Sequence, residues 1–263
     1  MPISSQHKGE CSFFGKVVME GEIVELLYDT ISLADAGRWN EIYQEAEKRR
    51  IKAARLTQYL WDAQIHPETE GLTKIPESFA EGLKVKSVAI GNGVTSIGDS
   101  AFQGCTGLTS VTWNAENCQA AGSYDDYIFT NCPKLTTVTI GDNVKAIPSY
   151  AFRGCKNLTS VTIGNSVTSI GYSTFAECTS LTDINIPDSI TSIDDWAFFR
   201  CISLTGIVVP EGVTSIGSAV FASCIGLTSV TLGDDVTSIG SSSFSGCRSL
   251  SSITLPKRVA HIG

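Results

Sequence analysis

The chain has 263 residues, of which 42% are hydrophobic and 17% charged, a composition typical of a globular protein with a sizeable core. Its net charge of −8 argues against a general nucleic-acid binder, which needs a basic surface. No apolar run reaches the roughly 18 residues of a membrane-spanning helix, so the sequence predicts no membrane insertion.

Residues 1–82 show no clear period and are predicted to form an N-terminal segment of their own. The pattern over 13–27 favours a short hairpin. Apolar residues at near-helical spacing over about 32–65 predict a helix. We expect this helix to cover the open end of the following region as a cap, and residues 72–79 look like a degenerate half-repeat.

The start of the chain bears on the compartment. Residues 1–18 contain no continuous hydrophobic stretch and do not look like a secretory signal. This favours a cytoplasmic protein, or a surface or secreted protein if a signal has been removed.

From residue 83 to 263 one unit of 23 residues recurs, and this repeat decides the fold class. The unit reads Leu-Thr-x-Val-x-Ile-Gly-x-x-Val-Thr-Ser-Ile-Gly-x-x-Ala-Phe-x-x-Cys-x-x. Its first apolar position falls at Val85, Leu108, Leu135, Leu158, Leu181, Leu204, Leu227 and Leu250. Its cysteine falls at Cys105, Cys132, Cys155, Cys178, Cys201, Cys224 and Cys247. The step is 23 residues throughout, except for 27 between Leu108 and Leu135.

A single unit is too small to bury its own apolar side chains, but stacked units join them into one core. The alternation over 158–163 predicts a strand with one buried face, followed by a second extended piece at 167–170. Gly164 and Gly171 are predicted to supply the turns. The Ala-Phe-x-x-Cys piece is too short for a full helix and predicts a helical turn. We therefore expect a repeat solenoid of about eight coils with parallel strands about 4.8 Å apart.

The unit closely resembles the BspA-like leucine-rich repeats, a type also seen in Treponema pallidum proteins, which share the Ile-Gly-x-x-Ala-Phe-x-x-Cys tail. The resemblance covers residues 83–263, and its motif residues are core positions. It implies a leucine-rich-repeat right-handed superhelix. It also implies a relation to bacterial surface proteins that adhere to host proteins.

No chemistry of catalysis or metal binding stands out. Equivalent cysteines in adjacent coils have parallel Cβ vectors, which argues against disulfides, and a free cysteine packs as a small hydrophobe. There is no Cys-x-x-Cys motif, and the three histidines, His7, His66 and His261, are scattered. We predict a protein that is not an enzyme and has no catalytic, metal or cofactor site.

The outward positions of the first strands are mostly Ser and Thr, as at Ser160 and Thr162. Such hydroxyl ladders leave ice or crystal-surface binding open as a remote alternative. The ladder is interrupted at Asp183/Asn185, and leucine-rich-repeat sheets are normally concave whereas ice is flat. The main alternative to a binding function is a structural or surface-array element without a specific partner.

Binding specificity is predicted to come from positions that depart from the repeat. A four-residue insertion lies within 114–128, and beside it Trp113 replaces the usual Ile while Cys118 and Ala121 are smaller than their counterparts. We interpret these three as a compensated exchange in the core. The candidate partner-binding residues are Tyr124, Asp125, Asp126 and Tyr127 in the insertion, then Asp183 and Asn185, and finally Trp196 on the opposite, convex side.

These observations predict a non-enzymatic protein–protein interaction scaffold or adhesin-like binding module. Because the candidate residues include several carboxylates, an unknown protein partner with a basic surface is favoured over an acidic one. The sequence indicates no nucleic-acid partner.

Overall fold

The computed structural model describes residues 74–75, 77–82 and 85–263, together with Gln44. The predicted hairpin at 13–27, and all of the predicted helix at 32–65 except Gln44, lie outside the described residues. The described part is a parallel β-solenoid of about eight coils, which confirms the predicted leucine-rich-repeat fold. No helix among the described residues has the length and hydrophobicity needed to span a membrane.

Most coils contribute one strand to a first-strand row, whose members pair in parallel with the copy in the next coil. The row consists of β2 (Ser87–Ile90), β4 (Ser110–Trp113), β6 (Thr137–Ile140), β8 (Ser160–Thr162), β11 (Gly206–Val209) and β13 (Ser229–Leu232). Val111 pairs with Val138, and both are fully buried while their hydroxyl-bearing neighbours face outward. Register therefore places each repeat residue beside its own copy, with apolar residues on the inner face.

A second-strand row runs along the solenoid and is built from two-residue strands. Its members are β1 (Lys74–Ile75), β3 (Ser96–Ile97), β5 (Ala120–Ala121), β7 (Ala146–Ile147), β9 (Ser169–Ile170), β10 (Ser192–Ile193), β12 (Ser215–Ile216), β14 (Ser238–Ile239) and β15 (His261–Ile262). Each strand buries its second residue, apart from the last strand, where both residues are exposed.

The segment around each Phe forms a tight turn with i→i−3 hydrogen bonds, as from the Arg153 N–H to the Tyr150 carbonyl at 3.1 Å. In successive coils these turns also form a third ladder, the turn row. Its backbone N–H groups point forward to the next coil: Tyr150 donates to the Tyr172 carbonyl at 2.9 Å, and Phe152 donates to the Thr174 carbonyl at 3.0 Å. Gly154 donates likewise to Ala176, at 2.8 Å. These bonds replace the i→i−4 bonds that a helix would use.

Left-handed backbone explains why the turn row is not helical. Tyr150 and Gly154 have φ of 63° and 72°, and such residues interrupt a right-handed helix. The position of Tyr150 is also left-handed in other coils, at Ser78, Ser100, Ser173, Trp196, Ala219 and Ser242. The position of Gly154 is left-handed at Gly82, Gly104, Asn131, Glu177, Arg200, Ser223 and Gly246. The forward hydrogen bonds offset the cost of this conformation, which is about 1–2 kcal/mol per non-glycine residue.

Gly164 and Gly171, predicted as turn residues, serve a different purpose. Neither has a positive φ, but a Cβ on Gly164 would lie 2.5 Å from the Gly141 carbonyl oxygen. A Cβ on Gly171 would lie 2.7 Å from the backbone nitrogen of Ser149. These glycines allow adjacent coils to approach closely.

The core is a column of phenylalanine rings flanked by Leu, Val and Ile. From Phe102 to Phe244 each ring stacks on its copy, with centroids 5.4–5.9 Å apart and interplanar angles of 2–15°. Phe79 extends the column with an edge-on contact to Phe102 at 5.9 Å. Trp113 is fully buried against Phe152, and Cys118 and Ala121 are buried as well.

The ladder cysteines are free thiols, all buried except the partly buried Cys247, and most of them donate a hydrogen bond to the backbone. The Cys178 thiol donates to the Phe152 carbonyl at 3.3 Å, and Cys201 and Cys224 make the same bond to the preceding coil at 3.2 Å. Burial raises the pKa of Cys224 to about 12 and raises that of Cys178 well above its ordinary value. Cysteine is thus both a small apolar side chain and a donor, a role that the hydrophobic interpretation missed.

Two strand rows are interrupted, and both breaks occur at departures from the repeat. The second-strand row is split between β5 and β7, at the insertion. The first-strand row is split between β8 and β11, so residues 183–186 belong to neither of its sheets. The second-strand row continues without a break past this second site.

Replacing Phe175 with Ala should lower the free energy of unfolding by about 3–5 kcal/mol, because the rings on either side are fixed by their own coils and cannot close the cavity. Denaturant unfolding measures this. Phe244 at the end of the column is only partly buried, so Phe244→Ala should cost clearly less. Equal costs would contradict the column as the centre of the core.

The ladder thiols should react slowly with a thiol reagent in native protein and rapidly in denaturant, because burial shields them. At Cys155, Cys178, Cys201 and Cys224 burial also raises the pKa and disfavours the reactive thiolate, whereas the hydrogen bond with Cys105 lowers the pKa of Cys132. Cys247 is only partly buried and should be the first ladder cysteine to react. Mass spectrometry of the labelled protein measures the order, and fast native labelling of Cys178 or Cys201 would contradict the prediction.

Candidate binding surface on the turn row

The insertion forms a closed loop that presents one tyrosine to solvent. Gly122 has a φ of 70°, and a Cβ there would lie 2.9 Å from the Asp126 carbonyl oxygen. The same oxygen accepts a hydrogen bond from the Ser123 N–H at 3.3 Å, so the chain folds tightly back on itself. Tyr124 lies in this loop with 57% of its surface exposed, next to the exposed Asp125.

A buried arginine from the next coil holds the insertion in place. The guanidinium carbon of Arg153 lies 4.3 Å from the centre of the Tyr124 ring and 4.8 Å from that of Tyr127. Its Nη1 donates to the Tyr124 carbonyl at 3.3 Å, and its Nη2 pairs with Glu177 at 3.2 Å. Only 8% of Arg153 is exposed, so these contacts are largely shielded from water.

Arg153 acts where the backbone ladders are interrupted. In the coil before the insertion, the Phe102 N–H donates forward to the Ile128 carbonyl at 3.0 Å. The next forward bonds of the turn row begin at Tyr150. Between these points the second-strand row is split, and the Arg153 side chain reaches the carbonyl of Tyr124 instead. A side chain therefore joins the insertion to the next coil.

The two insertion tyrosines differ in role. Tyr127 is half-buried, and a Cβ on Gly154 would lie 2.6 Å from its ring, so the ring packs directly on that glycine. Burial raises the pKa of Tyr127, although the adjacent Arg153 opposes this. Tyr127 is therefore part of the support, and Tyr124 is the ring that a partner can reach.

Further aromatic rings continue along the turn row. Tyr124 contacts Tyr150 edge-on with centroids 6.5 Å apart, and Tyr150 contacts Tyr172 at 5.4 Å. We call Tyr124, Tyr127, Tyr150 and Tyr172 the tyrosine ridge. One coil beyond it, Trp196 contacts Phe199 at 4.6 Å, and the Arg200 guanidinium lies 5.1 Å from the Phe199 ring centre.

The groups around Arg153 keep this buried side chain charged. Burial is the largest influence and lowers the pKa of Arg153, but Tyr124, Tyr127 and Glu177 together raise it above its ordinary value. The guanidinium Nε is buried without a hydrogen-bond partner. Arg153 therefore stays charged and is held by stacking and two hydrogen bonds.

The candidate residues from the sequence fall in two different rows. The insertion residues Tyr124 to Tyr127 lie beside the turn row. Trp196 lies in that row too, where its N–H donates to the Ser218 carbonyl, so the prediction that it lies on the opposite side from the insertion was wrong. Asp183 and Asn185 lie instead at exposed positions in line with the first-strand row, where that row is interrupted. There they line a cleft of about 270 Å³ together with Gly206, Val208, Ser229 and Thr231.

Sequence reasoning missed Tyr150, Tyr172, Arg153 and Glu177. A signal was present for two of them. No other repeat from residue 83 onward carries a charged residue at the position of Arg153, and most of these repeats carry Ser or Ala at that of Tyr150. Among the described residues, no group of three or more His, Cys, Asp or Glu side chains is placed to hold a metal ion.

Comparison with known proteins identifies the repeat. A family model for the BspA type leucine rich repeat region matches in six copies over residues 73–205 and 193–263. A comparison with curated proteins gives no match.

Two solved structures are similar to the chain. A leucine rich cell surface protein of Faecalibacterium prausnitzii is 34% identical, with a TM-score of 0.50 over 68% of this chain and 44% of that protein. The leucine rich repeat protein of Treponema pallidum is 26% identical, with a TM-score of 0.55 over 67% of this chain and 82% of that one. The chain thus spans less than half the length of the Faecalibacterium protein.

Replacing Arg153 with Ala should destabilise the protein by about 1–3 kcal/mol, the range for hydrogen bonds to a charged group, although two other repeats carry Ala here, at Ala176 and Ala222. Lys156, one turn away and exposed, is the matched control, and Lys156→Ala should change stability little. Denaturant unfolding compares the two. If both variants unfold like the wild type, Arg153 does not hold the insertion.

Proposed function

The chain belongs to the BspA-type leucine-rich-repeat family, and from this we propose that it is a non-enzymatic scaffold that binds another protein through the tyrosine ridge. The observation that carries the proposal is the exposed Tyr124 ring, held rigidly by Arg153 on a surface otherwise made of repeat residues. Exposed aromatic rings on a rigid support give much contact area at little cost in side-chain entropy.

The rest of the repeat surface supports this assignment by contrast. Its outward strand positions are mostly small hydroxyl residues that recur from coil to coil, such as Ser160 and Thr162. A surface with the same residues in every coil offers little to distinguish one partner from another. The tyrosine ridge occurs once among the described coils and supplies what a specific contact needs.

The setting we propose is an adhesin-like one at a bacterial surface. The Faecalibacterium protein, 34% identical over the matched part, is described as a cell surface protein. A rigid solenoid with one distinctive surface suits adhesion, because many coils can hold the contact away from whatever anchors the protein. The alternative, a structural element without a partner, gives no reason for an exposed ring stacked on a buried arginine.

Partner choice is set by charge as well as by aromatic area. Asp125 and Asp126 are exposed beside Tyr124, while the nearest cation, Arg153, is buried and paired with Glu177. The surface that a partner meets is therefore acidic, and we propose a partner with a basic face. The cleft at Asp183 and Asn185 lies in a different row and belongs to a separate contact.

Tyr124→Ala should weaken partner binding by at least about 1 kcal/mol, and it should also lower stability by about 1 kcal/mol through loss of the cation–π contact with Arg153, a cost too small to unfold the protein. Immobilised wild-type protein and the variant are compared for proteins captured from the native environment. The captured partner is then titrated by calorimetry.

The matched control is Ser160→Ala, an exposed position in the first-strand row, which should capture the same partner as the wild type. A partner lost only with Tyr124→Ala supports the proposal. Capture of the same partner with unchanged affinity by Tyr124→Ala would place the binding surface elsewhere.

A further inference from the structure

We propose that the turn-row surface from Tyr124 to Phe199 binds an extended protein segment that carries arginine or lysine at alternate positions, with each cation lying over an aromatic ring. This inference rests on the proposed function of the tyrosine ridge. It adds the chemical class of the bound segment and extends the contact beyond the insertion to Trp196.

The chain itself shows how this surface receives a cation. The Arg153 guanidinium stacks between Tyr124 and Tyr127 at 4.3 and 4.8 Å, and that of Arg200 lies 5.1 Å from the ring of Phe199. These rings thus already form cation–π contacts from one side. Tyr124 and Trp196 are 57% and 37% exposed, so a second cation can reach their outer surfaces.

Charge favours a basic segment over an acidic or neutral one. The turn segments 122–131, 148–154, 171–177 and 194–200 carry five carboxylates, at Asp125, Asp126, Glu177, Asp194 and Asp195, and two cations, at Arg153 and Arg200, a net charge of 2 − 5 = −3. Arg153 is buried in its own ion pair. The field outside this surface therefore attracts cations and repels a second acidic chain.

Spacing favours an extended chain that runs along the solenoid axis. Four consecutive coils carry one ring each, at Tyr124, Tyr150, Tyr172 and Trp196. The surface therefore spans three coil steps of about 4.8 Å. An extended chain covers this distance with about four or five residues at about 3.3 Å each. The Tyr124 and Tyr150 centroids are 6.5 Å apart. Side chains on the same side of a strand are also separated by about 6.6 Å, so two alternate residues match the Tyr124 and Tyr150 rings. The Tyr150 and Tyr172 rings are closer, at 5.4 Å, so the segment must tilt to follow the surface further.

Backbone conformation gives an independent argument for function. Tyr150 and Trp196 have φ of 63° and 62°, a conformation that bulky residues rarely adopt. The same position is Ser in four other coils, at Ser78, Ser100, Ser173 and Ser242, with φ of 51–60°. The Trp196 ring is partly exposed and lies outside the apolar core, so core packing does not account for a large aromatic residue at a strained position.

Serine at these positions also provides variants that keep the fold. In Tyr150→Ser with Trp196→Ser, each position takes the residue that other coils already hold in the same conformation. Thermal unfolding should match that of the wild type within a few degrees. The double variant therefore removes two rings of the surface without removing their support.

The test uses the full chain and three seven-residue peptides with blocked ends, in which serine alternates with arginine, glutamine or glutamate. Fluorescence anisotropy of labelled peptide measures affinity. We expect the arginine peptide to bind at least tenfold more tightly than the glutamine peptide, and the glutamate peptide to bind least. The serine double variant should lose at least fivefold in affinity for the arginine peptide.

General attraction between an acidic protein and a basic peptide is controlled by a matched pair of charge variants. Asp125→Asn with Asp126→Asn should weaken binding of the arginine peptide at least threefold. Asp188→Asn with Asp234→Asn removes the same charge from exposed positions outside the turn row and should weaken it less than twofold. Equal losses in the two pairs would overturn the proposed site.

The outcomes separate this inference from the proposed function. Equal affinity for the arginine and glutamine peptides, or an unchanged affinity in the serine double variant, overturns the inference. If Tyr124→Ala still loses the natural partner in that case, the tyrosine ridge remains a binding surface for a segment of other chemistry. If Tyr124→Ala retains the partner, the proposed function falls as well.

Discussion

Each coil is held to its neighbours by backbone hydrogen bonds that run along the solenoid in three rows, and these bonds fix the register of everything else. Val111 lies beside Val138, and the Phe152 N–H reaches the Thr174 carbonyl, because each position has a partner one repeat away. In this register the phenylalanine column forms, and the thiol of Cys178 meets the Phe152 carbonyl. A residue out of register would lose a backbone bond and a core contact together.

The candidate surface arises where that register is disturbed. Four additional residues leave the second-strand row split between β5 and β7, and the surplus chain closes into the loop that carries Tyr124. Arg153 then links coils where backbone bonds do so elsewhere, and in doing so it stacks on the exposed ring. The second disturbance, at Asp183 and Asn185, opens a cleft in the first-strand row. Both local departures thus change the surface while the hydrophobic core stays continuous.

The sequence predicts the coils well because each position of the repeat has the same environment in every coil. The same apolar pattern therefore recurs along the chain. The sequence is a poor predictor of the left-handed turn positions, because a serine or tyrosine, as at Ser100 and Tyr150, does not indicate a positive φ as a glycine would. The sequence also does not predict the contact between Arg153 and Glu177. These residues are 24 apart, so they occupy different positions of the 23-residue unit. The insertion residues were identifiable as a departure, but the ring system around them depends on contacts between coils.

The forward direction of the turn-row bonds has a consequence for how such a protein changes over evolutionary time. Outside the insertion, turn segments donate toward the following coil and accept from the preceding one, as Tyr150 and Tyr172 do. A duplicated or deleted block of 23 residues therefore rejoins the chain with all of its donors and acceptors matched. An inserted block of any other size leaves additional residues without matching partners, and these must project from the solenoid as a loop. Recombination can thus add whole units to the solenoid without disturbing its hydrogen bonds. An insertion of any other length creates a new surface loop on which selection can act.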